Sequence, residues 1–290
     1  NYNTYKPFGI ILNTFNNVSF KLYRNFNPDA YQLFTIDALH GVTLTNFFTC
    51  GLSWSVEPFE LYDFNDPRTF GRYYIYPQNY LLGGFISSDY KRKFALDLEL
   101  NDRWFDIQKR HTLYWNISPR YRFNNKLSMI YSFDRNFARD NVGYVDNVNG
   151  NIYMGTRNVT TYVNTLDASY IFTATMALKL AARHYWSQAE YSKYSLLNSG
   201  GRLEATTYNT NHNINFNSLN VYMSLVWQFK PGSEMSVVYQ NSIYSTGQQI
   251  QNDYFSDFHY AVQSPQSNSL SVKIIYYLDY LSFRKMFRNK

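Results

Sequence analysis

From Leu219 to Phe229 every second residue is apolar: Leu219, Val221, Met223, Leu225, Trp227 and Phe229 alternate with Asn220, Tyr222, Ser224, Val226 and Gln228. After Lys230-Pro231-Gly232-Ser233 the alternation restarts, with Met235, Val237 and Tyr239 set against Ser236, Val238 and Gln240. A period of two places alternate side chains on opposite faces of a strand, and two such runs joined by Pro-Gly form an antiparallel hairpin. Each face then meets a different environment, one apolar and one polar.

The same pattern recurs along most of the chain. Phe94, Leu96, Leu98 and Leu100 alternate with Ala95, Asp97, Glu99 and Asn101. Leu113, Trp115, Ile117, Pro119, Tyr121 and Phe123 alternate with Tyr114, Asn116, Ser118, Arg120 and Arg122, while Leu127, Met129, Tyr131 and Phe133 oppose Ser128, Ile130, Ser132 and Asp134. Met176, Leu178, Leu180 and Ala182 face away from Lys179, Ala181 and Arg183, and Leu270 to Tyr280 repeats the theme against Ser271, Lys273 and Asp279. Strands are expected near 5–14, 18–25, 31–40, 43–55, 79–88, 94–103, 112–123, 127–137, 159–172, 176–187, 212–229, 234–245 and 268–280. Tight turns are expected at 124–126, 173–175 and 230–233. Longer polar connections are expected at 138–158, 188–211 and 246–266, which show no helical period. Pro119, which cannot donate a ladder hydrogen bond, is expected to sit at a bulge.

Runs of about 10 to 14 residues exceed the usual soluble strand of about five or six and suit a tilted span of a bilayer. A soluble sandwich or solenoid also alternates, but its strands are shorter. Composition favours the membrane as well. The 290 residues include 29 Tyr and 23 Phe, yet hydrophobic residues reach only 45% and mean hydropathy is −0.43. A wall wetted on one side, with rings at both interfaces, has that balance. No run approaches the roughly 20 consecutive apolar residues of a spanning helix. The expected fold is therefore an all-β, antiparallel transmembrane β-barrel over residues 1–280, with about 13 to 14 strands visible, followed by a basic tail at 281–290. Single-chain bacterial barrels have even strand numbers, so an odd count implies a miscounted strand or a place in a larger barrel whose upstream part precedes Asn1.

Net charge is +6, but Arg284, Lys285, Arg288 and Lys290 supply four of the 27 bases, leaving about +2 for the rest. Without a compact basic stripe, nucleic acid is not an expected partner. The one cysteine, Cys50, allows no internal disulfide and belongs to no zinc motif.

Four stretches, "NDPRTFGRYYIYP" at 65–77, "SSDYKRKFAL" at 87–96, "FKPGSEMSVVYQ" at 229–240 and "SLSVKIIYYLDY" at 269–280, resemble the C-terminal barrel of a group of Bacteroidota outer-membrane proteins. In that group a carbohydrate-binding-like N-terminal domain precedes a barrel of unknown function. The resemblance implies an outer-membrane location and a C-terminal position in a longer barrel protein. It brings no established activity, and no carbohydrate-binding portion is visible in these residues.

The strand positions opposite the apolar sets carry Asp97, Glu99, Arg103, Arg120, Arg122, Asp134, Asp167, Lys179, Arg183, Lys273 and Asp279, all expected to face the lumen. They would line a pore or binding interior, or pair internally, which their mixed signs favour over a single-sign selectivity ring. Tyr280 is expected to be the terminal aromatic of the last strand. The bases of the tail would meet anionic headgroups at the periplasmic surface. Asp140 and Asp146, in the Asp- and Asn-rich stretch 140–151, offer carboxylates for calcium but lack EF-hand spacing. The five histidines have no paired-ligand spacing, and no nucleophile motif appears. No cofactor, metal or enzymatic activity is expected. The expected partners are outer-membrane lipid and lipopolysaccharide, and after them subunits of a larger outer-membrane complex. The expected role is a porin- or transporter-like passage or binding lumen, then a structural subunit of an outer-membrane complex, then an outer-membrane enzyme.

Overall fold

The structure is a computed structural model that describes residues 1–107, 109–251, 253–278 and 280. Its strands are β1 (Tyr2–Thr4), β2 (Ile11–Asn25), β3 (Ala30–Leu44), β4 (Thr49–Glu57), β5 (Leu61–Asp63), β6 (Tyr74–Tyr76), β7 (Asn79–Ser87), β8 (Phe94–Phe105), β9 (His111–Arg122), β10 (Leu127–Val148), β11 (Asn151–Thr173), β12 (Met176–Leu197), β13 (Leu203–Ala205), β14 (Ile214–Lys230), β15 (Ser233–Gly247) and β16 (Gln266–Ile275). The one helix among the described residues, α1 (Tyr254–Val262), lies between β15 and β16. All strands but β5 and β6 join one antiparallel sheet of 14 strands in the order β1-β2-β3-β4-β7-β8-β9-β10-β11-β12-β14-β15-β16, with β13 beside β12. β5 and β6 form a separate ribbon.

Short turns join several of the neighbouring strands. Pro231-Gly232 closes β14 onto β15, with Gly232 at φ 74°. β11 passes to β12 through Ala174-Thr175. β10 returns as β11 through Asn149-Gly150, both at positive φ (53° and 84°), the conformation of a two-residue hairpin turn. Two glycines let rings lie flat on the sheet. A Cβ on Gly41 would stand 2.0 Å from the Phe15 ring and one on Gly51 would stand 2.4 Å from Phe85. These two rings stack 6.5 Å apart.

Several expectations change. The stretch 138–158 is not a loop, since β10 and β11 carry all of it but the Asn149-Gly150 turn, and the strand β12 continues into 188–211 as far as Leu197, with β13 inside the remainder. They lack clean alternation because both faces carry polar and aromatic groups, so the periodic signal fades while the strand continues. The connection 246–266 holds α1, capped by Asp253, whose carboxylate accepts the Ser256 N–H at 2.8 Å. The stretches 5–14 and 18–25 are not two strands, since β2 runs unbroken from Ile11 to Asn25. Pro119 sits at no bulge. Register is the same on both sides of it, from Ile130↔Arg120 to Phe133↔Ile117, and the Ser118 hydroxyl donates to Ser132 at 2.7 Å beside the missing bond. β16 ends at Ile275, so Tyr280 is not the aromatic of the last strand. Tyr276 and Tyr277 fold instead over the β14–β15 turn, the former stacked on Phe229 and the latter donating its N–H to Ser233 Oγ. Asp279, Arg284, Lys285, Arg288 and Lys290 lie outside the described residues.

The densest packing lies away from the middle of the sheet. Tyr74 of β6 is buried with Val142, Ile152, Met154 and Leu197 at the far ends of β10, β11 and β12. Arg72 ties the same ribbon down by donating to the carbonyls of Leu197 and Asn198 at 2.7 and 2.8 Å.

Candidate functional site

Residues directly opposite one another in an antiparallel ladder share a face, so register tells which side chains stand together. Glu99 pairs with Asn116 and Asn116 with Asp134, whereas Leu98 pairs with Ile117 and Ile117 with Phe133. Carried across the sheet, this alternation puts Asp97, Glu99, Arg103, Arg120, Arg122, Asp134, Asp167, Lys179, Arg183 and Lys273 on one polar face. They do not pair with one another. Among the described residues, only Arg103 of this set makes an ion pair, with Glu57 at 3.4 Å. Others of the set rest on hydroxyls, amides and rings. Asp134 accepts from Tyr114 Oη at 2.7 Å and Asn116 Nδ2 at 2.9 Å. Asp97 accepts from Tyr90 Oη at 2.6 Å, and Arg120 lies over the Tyr90 ring at 4.4 Å. The internal charge pairing expected from mixed signs is therefore not the organising interaction of this face.

The most connected part of the polar face involves residues that alternation alone did not single out. Asp37 on β3 accepts from Lys21 Nζ at 2.9 Å, Ser55 Oγ at 2.7 Å and Thr35 Oγ1 at 3.1 Å. Beyond it, the Asn79 amide, 2% exposed, bridges Glu57 and Arg103 by donating to the carboxylate and accepting from the guanidinium. Alternation in "SWSVE" carried the signal: Ser53, Ser55 and Glu57 share one side, Trp54 and Val56 the other. A cavity of about 440 Å³ opens here, lined by Gln32, Glu57, Asn79 and Arg103 and by Tyr62 and Tyr76 from the β5–β6 ribbon. Asp63 keeps that ribbon turned, its carboxylate accepting the N–H groups of Asn65 and Asp66 at 2.8 and 3.1 Å. Asp66 accepts the Tyr144 N–H at 3.3 Å, and burial pushes its carboxyl above the ordinary aspartate range.

The opposite face is apolar and exposed. Phe20, Leu22, Leu52, Leu82, Ile86, Leu98, Leu100, Ile117, Met223, Trp227, Leu270, Val272 and Ile274 all expose large apolar side chains there. Ionisable groups interrupt it, among them His40, Asp102, His111, Arg135 and His184. Helix α1 covers His184. Tyr254 Oη accepts from Asn164 Nδ2 at 2.8 Å and meets His184 Nδ1 at 2.7 Å, and the Tyr254 ring packs edge-on to Tyr162 and Trp186. Burial pushes the Tyr254 hydroxyl up to about 12. Asp257, 2% exposed, accepts from the amides of Asn215 and Asn217.

Residues 140–151 form a hairpin and not a wrapping loop, which separates Asp140, beside Arg139, from Asp146, which accepts from Tyr208 Oη at 3.2 Å. Among the described residues no three His, Cys, Asp or Glu side chains converge as a metal would require. Comparison with curated proteins gives no match. One family model, described as "Domain of unknown function (DUF5916)", matches residues 1–287. A match that covers nearly the whole of an antiparallel sheet with one polar and one apolar face means that the chain belongs to the DUF5916 family.

Proposed function

We propose that the chain is the wall of a transmembrane β-barrel in a bacterial outer membrane, and that the polar face lines a porin- or transporter-like passage or binding lumen for a solute. The observation that carries this reading is the segregation of the two faces. Large aliphatic and aromatic side chains stand exposed on one side from β2 to β16, while the ten charged residues above, with Lys21, Asp37 and Glu57, stand on the other. A contiguous apolar surface of that extent is a liability in water and an asset against hydrocarbon. The resemblance to barrels of Bacteroidota outer-membrane proteins supports the same location. With a rise of about 3.3 Å per residue, the 22 residues of β10 extend roughly 70 Å, well past an apolar band of about 25 Å even when tilted. The ends of β10 to β13, the β5–β6 ribbon and α1 therefore stand outside the hydrocarbon.

Two neighbouring positions test the membrane face. Met223→Arg puts a guanidinium on the apolar side and costs about 2–4 kcal/mol of folding into lipid vesicles if that side meets the bilayer midplane, while Ser224→Arg is tolerated. Equal effects would refute the assignment. Conductance across a planar bilayer then tests passage, and a silent, correctly inserted protein would favour the second reading. That second reading is a structural subunit of a larger outer-membrane assembly. It is favoured by the outer edges of the sheet: among the described residues β16 pairs only with β15, and β1 covers β2 only from Thr14 to Asn16.

A further inference from the structure

A groove on the apolar face, about 1060 Å³ in volume, crosses β4, β7, β8 and β9. Leu52, Leu82, Leu98, Leu100, Trp104 and Ile117 line it, almost without polar surface. It exists because the sheet is thin at its centre. Gly84 on β7 stands between Leu52 and Leu100, and a Cβ there would meet only the Gly51 carbonyl at 3.0 Å and the tip of Leu52 at 3.9 Å. Small Cys50 completes the floor beside it.

One end of the groove is not apolar. Asp102 follows Leu98 and Leu100 on the same side of β8 and pairs with Leu82 on β7 and Leu113 on β9. Its Oδ1 is buried and has no hydrogen-bond partner among the described residues. A carboxylate oxygen shielded from water and left without a donor is costly, and a donor bearing positive charge relieves it best. None of the basic groups around it donates to that oxygen: Arg103 points to the polar face with Glu57, Arg135 leans on the Tyr162 ring at 5.5 Å, Arg110 lies over the Tyr76 and Phe105 rings, and His111 and Lys109 share a cavity with Asp102, His111 edge-on to Phe137.

We infer that this groove holds one lipid whose headgroup carries a primary ammonium, the ammonium on Asp102 and one acyl chain along the glycine floor. From Asp102 to Leu98 the groove runs about 13 Å along β8, room for the upper half of a long acyl chain. The inference rests on the membrane reading above, because only then does this face meet lipid. The ligand is a specific, retained lipid as opposed to the annular solvent that every barrel face contacts.

The test reconstitutes the protein into nanodiscs of equal phosphatidylethanolamine and phosphatidylglycerol, transfers it to mild detergent and counts retained lipid by native mass spectrometry. The wild type is expected to keep one phosphatidylethanolamine with a preference of about tenfold or more, the scale of one charge-assisted hydrogen bond. Asp102→Asn, nearly isosteric, should abolish the preference, and Cys50→Phe, which fills the floor, should abolish retention of either lipid. Insertion with no retained lipid, or with equal retention of both, overturns the inference and leaves the membrane reading standing. Failure of the wild type to enter nanodiscs at all overturns both.

Discussion

At the scale of single residues, a buried carboxylate and a half-buried one hold the parts of the molecule that lie off the main ladder. Asp257 anchors α1 through the Asn215 and Asn217 amides with no cation beside it among the described residues. Asp257→Ala leaves two buried amides without acceptors and should cost about 1–3 kcal/mol in the docking of α1. Trp186 packs against Tyr254, so its fluorescence reads the loss, and an unchanged emission would refute the anchoring role. Asp66 works in the other direction. Burial raises its carboxyl, so the folded state favours the protonated form. Its contribution to ribbon docking is complete below the ordinary aspartate range and declines as pH rises through the raised value. Protection of the β5–β6 ribbon from proteolysis is therefore expected to weaken as pH rises from the ordinary aspartate range upward. Asp66→Asn, which keeps an oxygen for the Tyr144 N–H, should remove that dependence.

At the scale of elements, the sequence revealed a strand wherever one face was apolar and the other polar, as in β8, β9, β14 and β15. Apart from Asp102, the charged residues of those strands share the side opposite the apolar positions, because a period of two fixes the side once one neighbour is known. It failed where both faces are alike. Residues 138–148 and 188–197 look like loops because Tyr, Asn, Ser and Asp occupy both sides, although Asn149-Gly150 was a legible hairpin signal between β10 and β11. Asp37, Glu57 and Asn79 were missed for another reason: their network joins β3, β4 and β7, and only register brings these strands' polar positions into line. The glycine–phenylalanine contacts are a similar cross-strand feature. Gly41→Val places its branch inside the Phe15 ring and should destabilise the β2–β3 pair by about 1–3 kcal/mol. Combining it with Phe15→Ala should recover part of that loss, and denaturant titration of the four members of the cycle measures the coupling. Strict additivity would show that the ring does not depend on the missing side chain.

At the scale of the whole molecule, the apolar face sets a condition on the edges of the sheet. Hydrocarbon hydrates no backbone, so a strand flanked by lipid must have both rows of N–H and C=O groups paired. Among the described residues β16 meets this on the side of β15 alone, and it is exposed from Gln266 to Ile275, with Leu270, Val272 and Ile274 on the apolar face. Beyond Asn16, β2 lacks an outer partner among the described residues while Val18, Phe20 and Leu22 stand on that same face. If the face meets lipid, both outer edges are paired in the membrane, whether to each other or to further strands. Amide hydrogen exchange separates this from an open sheet, whichever strand does the pairing. In vesicles, the β16 amides that point away from β15 are expected to exchange as slowly as those that point toward it. Rapid exchange confined to the outward amides, in protein that remains inserted, would mean that water reaches the edge and that hydrocarbon does not flank it.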